Sequence, residues 1–302
     1  MLKKLLIRFH DPKYIRWDLL RLISPFLSDA QYMKRRYKLL TNKTLELERP
    51  STYNEKLQWI MLNDRRPLYT LMVDKFAAKD YIAGIIGDKY LVPTIASWDS
   101  VDEIDFDSLP NQFVLKANNG VGGLVICDDK SKLDVAVAKK RLNKALHMNL
   151  YKITREWPYK NVKPKLFAER YLGSNLQDYR VYCFDGEPKI IYSYTNQSRE
   201  DGNKPDLPFC DIFDCNWNPM PFHQKALPKG NIPRPDGLSE MIDCSRKMSK
   251  GIPHVRVDFY EIDGEVYIGE LTLFAGAGLS KFYPEEWDDI LGSWITLPEI
   301  NK

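Results

Sequence analysis

The stretch that most constrains the fold is residues 254–278, HVRVDFYEIDGEVYIGELTLFAGAG. Val255, Val257 and Phe259 alternate with Arg256, Asp258 and Tyr260, which is the period of a β-strand. Asp263-Gly264 is a turn signal, and residues 266–274 are again rich in β-formers, so the stretch predicts a hairpin. Asp258 and Glu270 lie inside apolar runs, where a carboxylate is seldom kept without a partner. A two-residue loop would pair Tyr260 with Tyr267 and Asp258 with Gly269, sending Glu270 to the other face. A three-residue loop, Ile262-Asp263-Gly264 with Gly264 left-handed, would make Asp258 and Glu270 diagonal neighbours on one face, with Arg256 opposite Glu270. Two carboxylates on one face repel unless a cation sits between them. Oxygen ligands of this kind suit Mg²⁺, which commonly shares substrate phosphates. The hairpin therefore reads as a Mg-nucleotide platform; the plainer reading is an edge hairpin whose acids face water.

Composition narrows the setting. At 302 residues the chain can bury a large core in about two domains. A net charge of +3 gives no argument for nucleic acid. Cys127, Cys183, Cys210, Cys215 and Cys244 are odd in number and loosely spaced, which argues against a disulfide framework or a zinc site and favours a reducing, cytoplasmic setting. No apolar run has the length of a membrane span, and no signal peptide is evident.

Residues 1–27 are basic and amphipathic, with Lys3, Lys4, Arg8, Lys13, Arg16 and Arg21 among Leu, Ile, Phe and Trp. They could rest on an anionic membrane surface, at the inner face of the membrane, or pack on their own domain. Thr52 and Glu55 form a capping box for the next helix. Residues 68–85 predict a further helix, broken at Gly84 and Gly87 and carrying the Asp74-Lys75 pair. Residues 111–128, NQFVLKANNGVGGLVICD, predict two strands joined by a Gly-rich loop, with Lys116 ending the first. No Gly-Lys-Ser/Thr opens a helix there, and a strand follows, so this is neither a P-loop nor a dinucleotide fingerprint. Gly120, Gly122 and Gly123 suit a flap whose backbone N–H groups reach phosphate; a merely flexible hairpin is the alternative. The basic run containing Arg155, Lys160, Lys163 and Lys165 reads as a solvated face or as a site for phosphate or an acidic substrate. Residues 166–172 predict a strand interrupted by Glu169, and residues 178–195 a hairpin turning at Asp185-Gly186. Residues 196–237, with seven prolines, read as a long loop, a lid or a specificity element.

In this order the pieces resemble an ATP-grasp protein, and most closely the teichuronopeptide-biosynthesis-like group of cell-surface polysaccharide pathways. The marks are YNEKLQW, LYTLMVDK, LPNQFVLKANNGVGG, REWPYKNVKPK, AERYLG, DYRVYCFDG and VRVDFYEIDGEVYIGELT, from about Tyr53 onward. The resemblance implies an α+β fold in which two subdomains grip ATP, here behind a mainly helical N-terminal region. It divides the chain into a helical region at 1–65, a first subdomain with the flap at 66–168, and a second with the metal hairpin and Pro-rich loop at 169–302. It implies that Lys75 and Lys116 touch the nucleotide phosphates, with Asn119, Gly120, Gly122 and Gly123 in the flap. Glu169, Arg170, Tyr171 and Leu172 would be the hinge under the adenine. Asp178 and Arg180 would face the site, Arg256 would stabilise charge at an acyl centre, and Asp258 and Glu270 would hold Mg²⁺. Thr272 stands where such proteins commonly carry Asn, a weaker ligand at a third metal position.

The chemistry implied is carboxylate activation by ATP, followed by attack of an amine, in a site of Lys, Arg and Mg²⁺ without a protein nucleophile. The implied partners are a small-molecule or lipid-linked glycan acceptor and an amino donor. Rival readings are a kinase with the same nucleotide site, a glycosyltransferase using the D-x-D triplet Asp105-Phe106-Asp107, and a non-catalytic scaffold, which Thr272 would favour.

Overall fold

The computed structural model describes residues 12–174, 176–195 and 209–299; expectations placed on 1–11 and 196–208 lie outside them. Helices come first. α1 (Pro12–Ile23) passes through a short turn into α2 (Asp29–Thr41), which opens on a capping box of Ser28 and Gln31. α3 (Tyr53–Asn63) opens on the expected Thr52–Glu55 box, with both reciprocal hydrogen bonds present. The helix expected over 68–85 is two helices, α4 (Pro67–Val73) and α5 (Ala78–Ile86). Asp74, not a glycine, makes the break. Its Oδ1 accepts from Phe76 N at 2.9 Å and Ala77 N at 3.0 Å, offering the backbone a local alternative to the helix.

The first sheet is antiparallel, with order β1-β4-β2-β3: β1 (Thr94–Trp98), β2 (Phe113–Ala117), β3 (Val125–Cys127) and β4 (Leu166–Arg170). Between β3 and β4 run α6 (Val135–Leu146) and α7 (Leu150–Thr154). Leu142, Ala138 and Ala145 of α6 bury themselves against Phe113, Leu115 and Ala168 in a core of their own.

The second sheet, also antiparallel, has order β7-β6-β5-β8-β9: β5 (Asp178–Phe184), β6 (Glu187–Thr195), β7 (Phe209–Asp214), β8 (His254–Ile262) and β9 (Glu265–Thr272). β7 corrects the expectation of a plain loop over 196–237. It is a proline-free run between Pro208 and Pro219, and it pairs with β6 at the sheet edge, where prolines at either end cost no ladder bonds. α8 (Leu238–Ser249) packs with the second sheet, and α9 (Trp287–Ser293) closes on α3. The helices from α2 to α5 share one buried core with this second sheet, so Tyr53, Leu57, Met61, Tyr69 and Met72 meet Phe184, Tyr192, Val255 and Phe259 there. The α+β class read from the sequence holds. Among the described residues no helix is long and apolar enough to cross a membrane.

The β8–β9 hairpin differs from both expected registers. Its loop has two residues, Asp263 (φ 52°) and Gly264 (φ 80°), and Tyr260 pairs with Tyr267. The extra residue lies further in, at Gly269. Phe259 pairs with Ile268 and Asp258 with Glu270, so the ladder slips by one between them. Gly269 is required there, because a Cβ would lie 2.8 Å from Cε2 of Tyr260. The bulge brings the two carboxylates directly opposite each other, and Arg256 faces Thr272 instead of Glu270.

Candidate active site

Each sheet carries an ionic cluster, and the two lie near enough for Lys116 of the first to act on Glu270 of the second. On the first sheet, Glu169 is buried at 4% exposure between two lysines. Its Oε1 is 2.5 Å from Lys79 Nζ and its Oε2 is 2.6 Å from Lys116 Nζ. Burial alone would raise the Glu169 carboxyl; Lys116 and Lys79 overcome it and hold the group below its usual range. Lys116 comes from β2 and Glu169 from the neighbouring β4, while Lys79 reaches in from α5 and also donates to Val92 O and Thr94 Oγ1. Sequence reading passed over Lys79. The signal was its place in the stretch LYTLMVDKFAAK, four residues after Lys75.

On the second sheet, Arg256 grips Asp258 with two short bonds, 2.6 Å from Nε and 2.5 Å from Nη2, and the same Nη2 lies 3.1 Å from Glu270 Oε1. From β5, Arg180 donates to Asp178 Oδ2 at 2.7 and 3.0 Å and reaches within 3.7 Å of Asp258. Its guanidinium also lies 4.3 Å over the Tyr194 ring. Register explains the convergence, since Arg180 pairs with Asp258 across β5–β8 and Asp258 with Glu270 across β8–β9. The two carboxylates titrate apart. Burial pushes Asp258 up to about 7 against the pull of Arg256 and Arg180. Burial also acts on Glu270, but Lys75, Arg256, Arg180 and Lys116 bring it down to about 2. Asp178 Oδ1 is buried and accepts no hydrogen bond among the described residues.

Lys75 links the second cluster to the flap. It follows the Asp74 bend, is 3.4 Å from Glu270 Oε2, and donates to the flap carbonyl of Gly120. Asp74 Oδ1 also accepts from Asn118 Nδ2, so the bend and the root of the flap are one unit. Of the flap residues, Gly120 (φ 148°) and Gly122 (φ 90°) hold backbone conformations that favour glycine, and Gly122 has open space around it. Gly123 is packed instead, for a Cβ would lie 2.7 Å from those of Ala117 and Ala145. The Asn119 side chain, expected near phosphate, is turned inward. It donates to the carbonyls of Ala145, Leu146 and Met148 and so anchors the loop to the end of α6. Arg170 reaches across to Tyr267 of β9 at 2.7 Å, and its own N–H is taken by Pro93 O, so Tyr171 and Leu172 lie just beyond the last paired residue of β4.

The basic run after α7 does not serve this cleft. Arg155 is buried against the Tyr32 and Tyr151 rings and donates to Ser24 O; Lys160 lies over Tyr151, and Lys163 and Lys165 reach Asp99. The D-x-D acids are exposed, and Asp105 accepts from Asp107 N within its own turn. The helical motif YNEKLQW, in contrast, holds the ends of both strands of the β8–β9 hairpin. Tyr53 OH is 3.0 Å from His254 Nε2 at the start of β8, and His254 Nδ1 is 2.8 Å from Leu273 O after β9. Asn54 exchanges bonds with Ser280, and Gln58 donates to Ala277 O and Gly278 O. Burial pushes His254 down to about 4, so it is a neutral strut at neutral pH.

The donor set fits a magnesium ion. Asp258 and Glu270 lie close enough to share one cation, the Arg256 Nη2 group, and a metal ion there would take over oxygens that Arg256 now holds. Among the described residues no three His, Cys, Asp or Glu side chains form a metal cluster, so such an ion would complete its shell from phosphate oxygens and water. Thr272 closes β9 opposite Arg256, half-buried beside this pair.

Comparison with known proteins gives one assignment. The sequence profile of the family described as TupA-like ATPgrasp matches residues 55–296, 242 of the 302. No curated protein sequence matches the chain significantly. Among solved structures it is similar to D-alanine–D-alanine ligase from Bacillus anthracis complexed with ATP, with 17% identity, TM-score 0.39, and coverage of 74% of this chain and 57% of that one. It is similar to L-amino acid ligase from Bacillus licheniformis, with 13% identity, TM-score 0.47, and coverage of 96% and 64%. It is also similar to D-cycloserine synthetase, with 14% identity, TM-score 0.41, and coverage of 68% and 64%. The chain thus spans about three fifths of the length of these structures, and at such distances nothing about substrate passes from them to it.

Proposed function

Because the chain belongs to the TupA-like ATP-grasp family, we propose that it is an ATP-dependent ligase that activates a carboxylate as an acylphosphate and joins it to an amine. The observation that carries this reading is Lys75, between the second cluster and the flap. A phosphate-seeking lysine from the helical segment lies against the carboxylate pair of the hairpin, as a nucleotide held between the two sheets requires. A carboxylate oxygen of the acceptor attacks the γ-phosphorus and ADP leaves. The amine nitrogen then attacks the carbonyl carbon, phosphate leaves, and the nitrogen gives up a proton. Lys75, Lys116 and Lys79 are assigned to the phosphates. Arg256 and Arg180, fixed by their own carboxylates, are assigned to the acceptor carboxylate and to the oxyanion that forms from it. Mg²⁺, held by Asp258 and Glu270, would neutralise phosphate charge. No protein nucleophile is needed, since positioning and charge supply the catalysis.

The acceptor proposed is a carboxylated sugar or peptide, free or lipid-linked, of a surface polysaccharide, with an amino compound as donor. Resemblance to the polysaccharide-pathway group supports it. The test is ATP turnover against a panel of uronic-acid sugars and amino compounds, with ADP and phosphate read together. Release of both that needs the amine supports the ligase. ADP with the phosphate retained on a hydroxyl of the product would move the assignment to a kinase.

A further inference from the structure

We infer that α1 and the turn after it dock the protein onto an anionic lipid surface. The inference does not rest on the ligase reading. Ile15, Leu19, Leu22 and Phe26 follow one another at helical spacing, and all are exposed, Leu22 at 73% and Phe26 at 88%. On the opposite side of the same helix Leu20 is buried at 5% and Trp17 half-buried, so α1 is packed along one face and bare along the other. Single exposed apolar residues are ordinary; four in one stripe, on a helix already packed along its other face, are not.

Charge selects the occupant. Arg16 and Arg21 are exposed on the two flanks of the stripe, where long basic side chains can reach headgroups while the stripe enters the boundary beneath them. Asp18 is the one acid of α1. Arg16, Arg21, Lys34, Arg35 and Lys38 are exposed on α1 and α2, against the exposed Asp18 and the half-buried Asp29. A second copy seated on this face would bring two such basic regions together, whereas an anionic membrane complements both the charge and the apolar stripe. The turn after α1 and the first half of α2 are firmly seated. Arg155, buried against the Tyr32 and Tyr151 rings, donates to Ser24 O and pairs with Asp29, while Tyr32 OH donates to Ile153 O. These bonds tie the stripe to α7, whose Leu150 lies beside Gly120 of the flap, so docking would orient the flap side of the cleft relative to the membrane.

The test is co-sedimentation of the full chain with vesicles of phosphatidylglycerol and phosphatidylcholine, against phosphatidylcholine alone. The full chain should sediment with the anionic vesicles only, and less so as salt shortens the screening length. The double variant Leu19→Glu with Leu22→Glu should bind at least about tenfold more weakly, while its ATP-induced thermal shift stays that of the parent. Failure of the full chain to bind anionic vesicles would overturn the inference. So would equal binding by the double variant. A dimer that the double variant converts to monomer, with vesicle binding unaltered, would assign the face to a second copy and overturn it too.

Discussion

The two ionic clusters of the site use the same chemistry in opposite proportion. On the first sheet one carboxylate, Glu169, serves two ammonium groups, Lys79 and Lys116. On the second, three carboxylates, Asp178, Asp258 and Glu270, share two guanidinium groups, Arg180 and Arg256. The side with surplus cation is suited to an anion, and the side with surplus carboxylate to a cation; Mg-ATP is both. The cation type differs as well. An ammonium is a point charge on a flexible stem and can turn from Glu169 to a phosphate. The guanidinium forks are fixed in two-bond geometry and can present a charge without moving. Lys75, within reach of Glu270 and of the flap, is the group able to serve either side.

The largest expected effect comes from removing the single anion of the first cluster. Glu169→Gln removes the buried carboxylate that two half-buried ammonium groups share and should cost about 3 kcal/mol of stability in denaturant melts. Added ATP should recover more stability in this variant than in the parent; an equal gain would mean the nucleotide does not meet these lysines. Glu270→Gln keeps volume and removes charge from the other cluster. Turnover should fall by about 100-fold or more, on the scale of losing a fixed electrostatic contact to the reacting group; normal turnover would remove Glu270 from the metal site.

Glu156 sharpens the comparison from outside the site, as a buried carboxyl that no cation grips directly among the described residues. Burial pushes it up to about 7, against weaker help from Thr154 and Arg36. A group raised in the folded state contributes its stability below the unfolded value and loses it as pH rises through the folded one. Glu156→Gln should therefore match the parent near pH 4.5, where the carboxyl is still protonated in the fold, and gain up to about 3 kcal/mol over it by pH 8, since each tenfold change in proton affinity corresponds to about 1.4 kcal/mol. Melting curves at the two pH values decide it, and an unchanged gap would mean that folding leaves the proton affinity of the group where it is in the unfolded chain. Lys116→Ala should produce the smallest effect, weakening nucleotide binding by about 1.5–3 kcal/mol, the worth of one charge-assisted hydrogen bond. Unchanged affinity by calorimetry would place the phosphates elsewhere.

Local pattern made much of this legible. Alternation in 254–260 and the Asp263-Gly264 turn gave the hairpin, and two acids in apolar runs marked Asp258 and Glu270. What escaped was set by non-local geometry. The bulge at Gly269, which brings the acids face to face, depends on the Tyr260 ring lying where a Cβ would be. Asn119 looked like a flap residue because it precedes Gly120, yet its amide closes α6, a helix that begins sixteen residues later. Asn54 and Gln58 read as an ordinary helix face, and their partners at 277–280 lie more than 200 residues away. β7 was hidden by its flanking prolines, and the helix break by the side chain of Asp74 rather than by any glycine.

Whether one side of the cleft takes the phosphates and the other takes their metal is decided by calorimetric titration of ATP, with and without Mg²⁺, into the parent and into Glu270→Gln. ATP alone should bind both proteins equally, or somewhat better in the variant, and Mg²⁺ should tighten binding in the parent but not in the variant. An equal Mg²⁺ gain in both would contradict this division of the cleft.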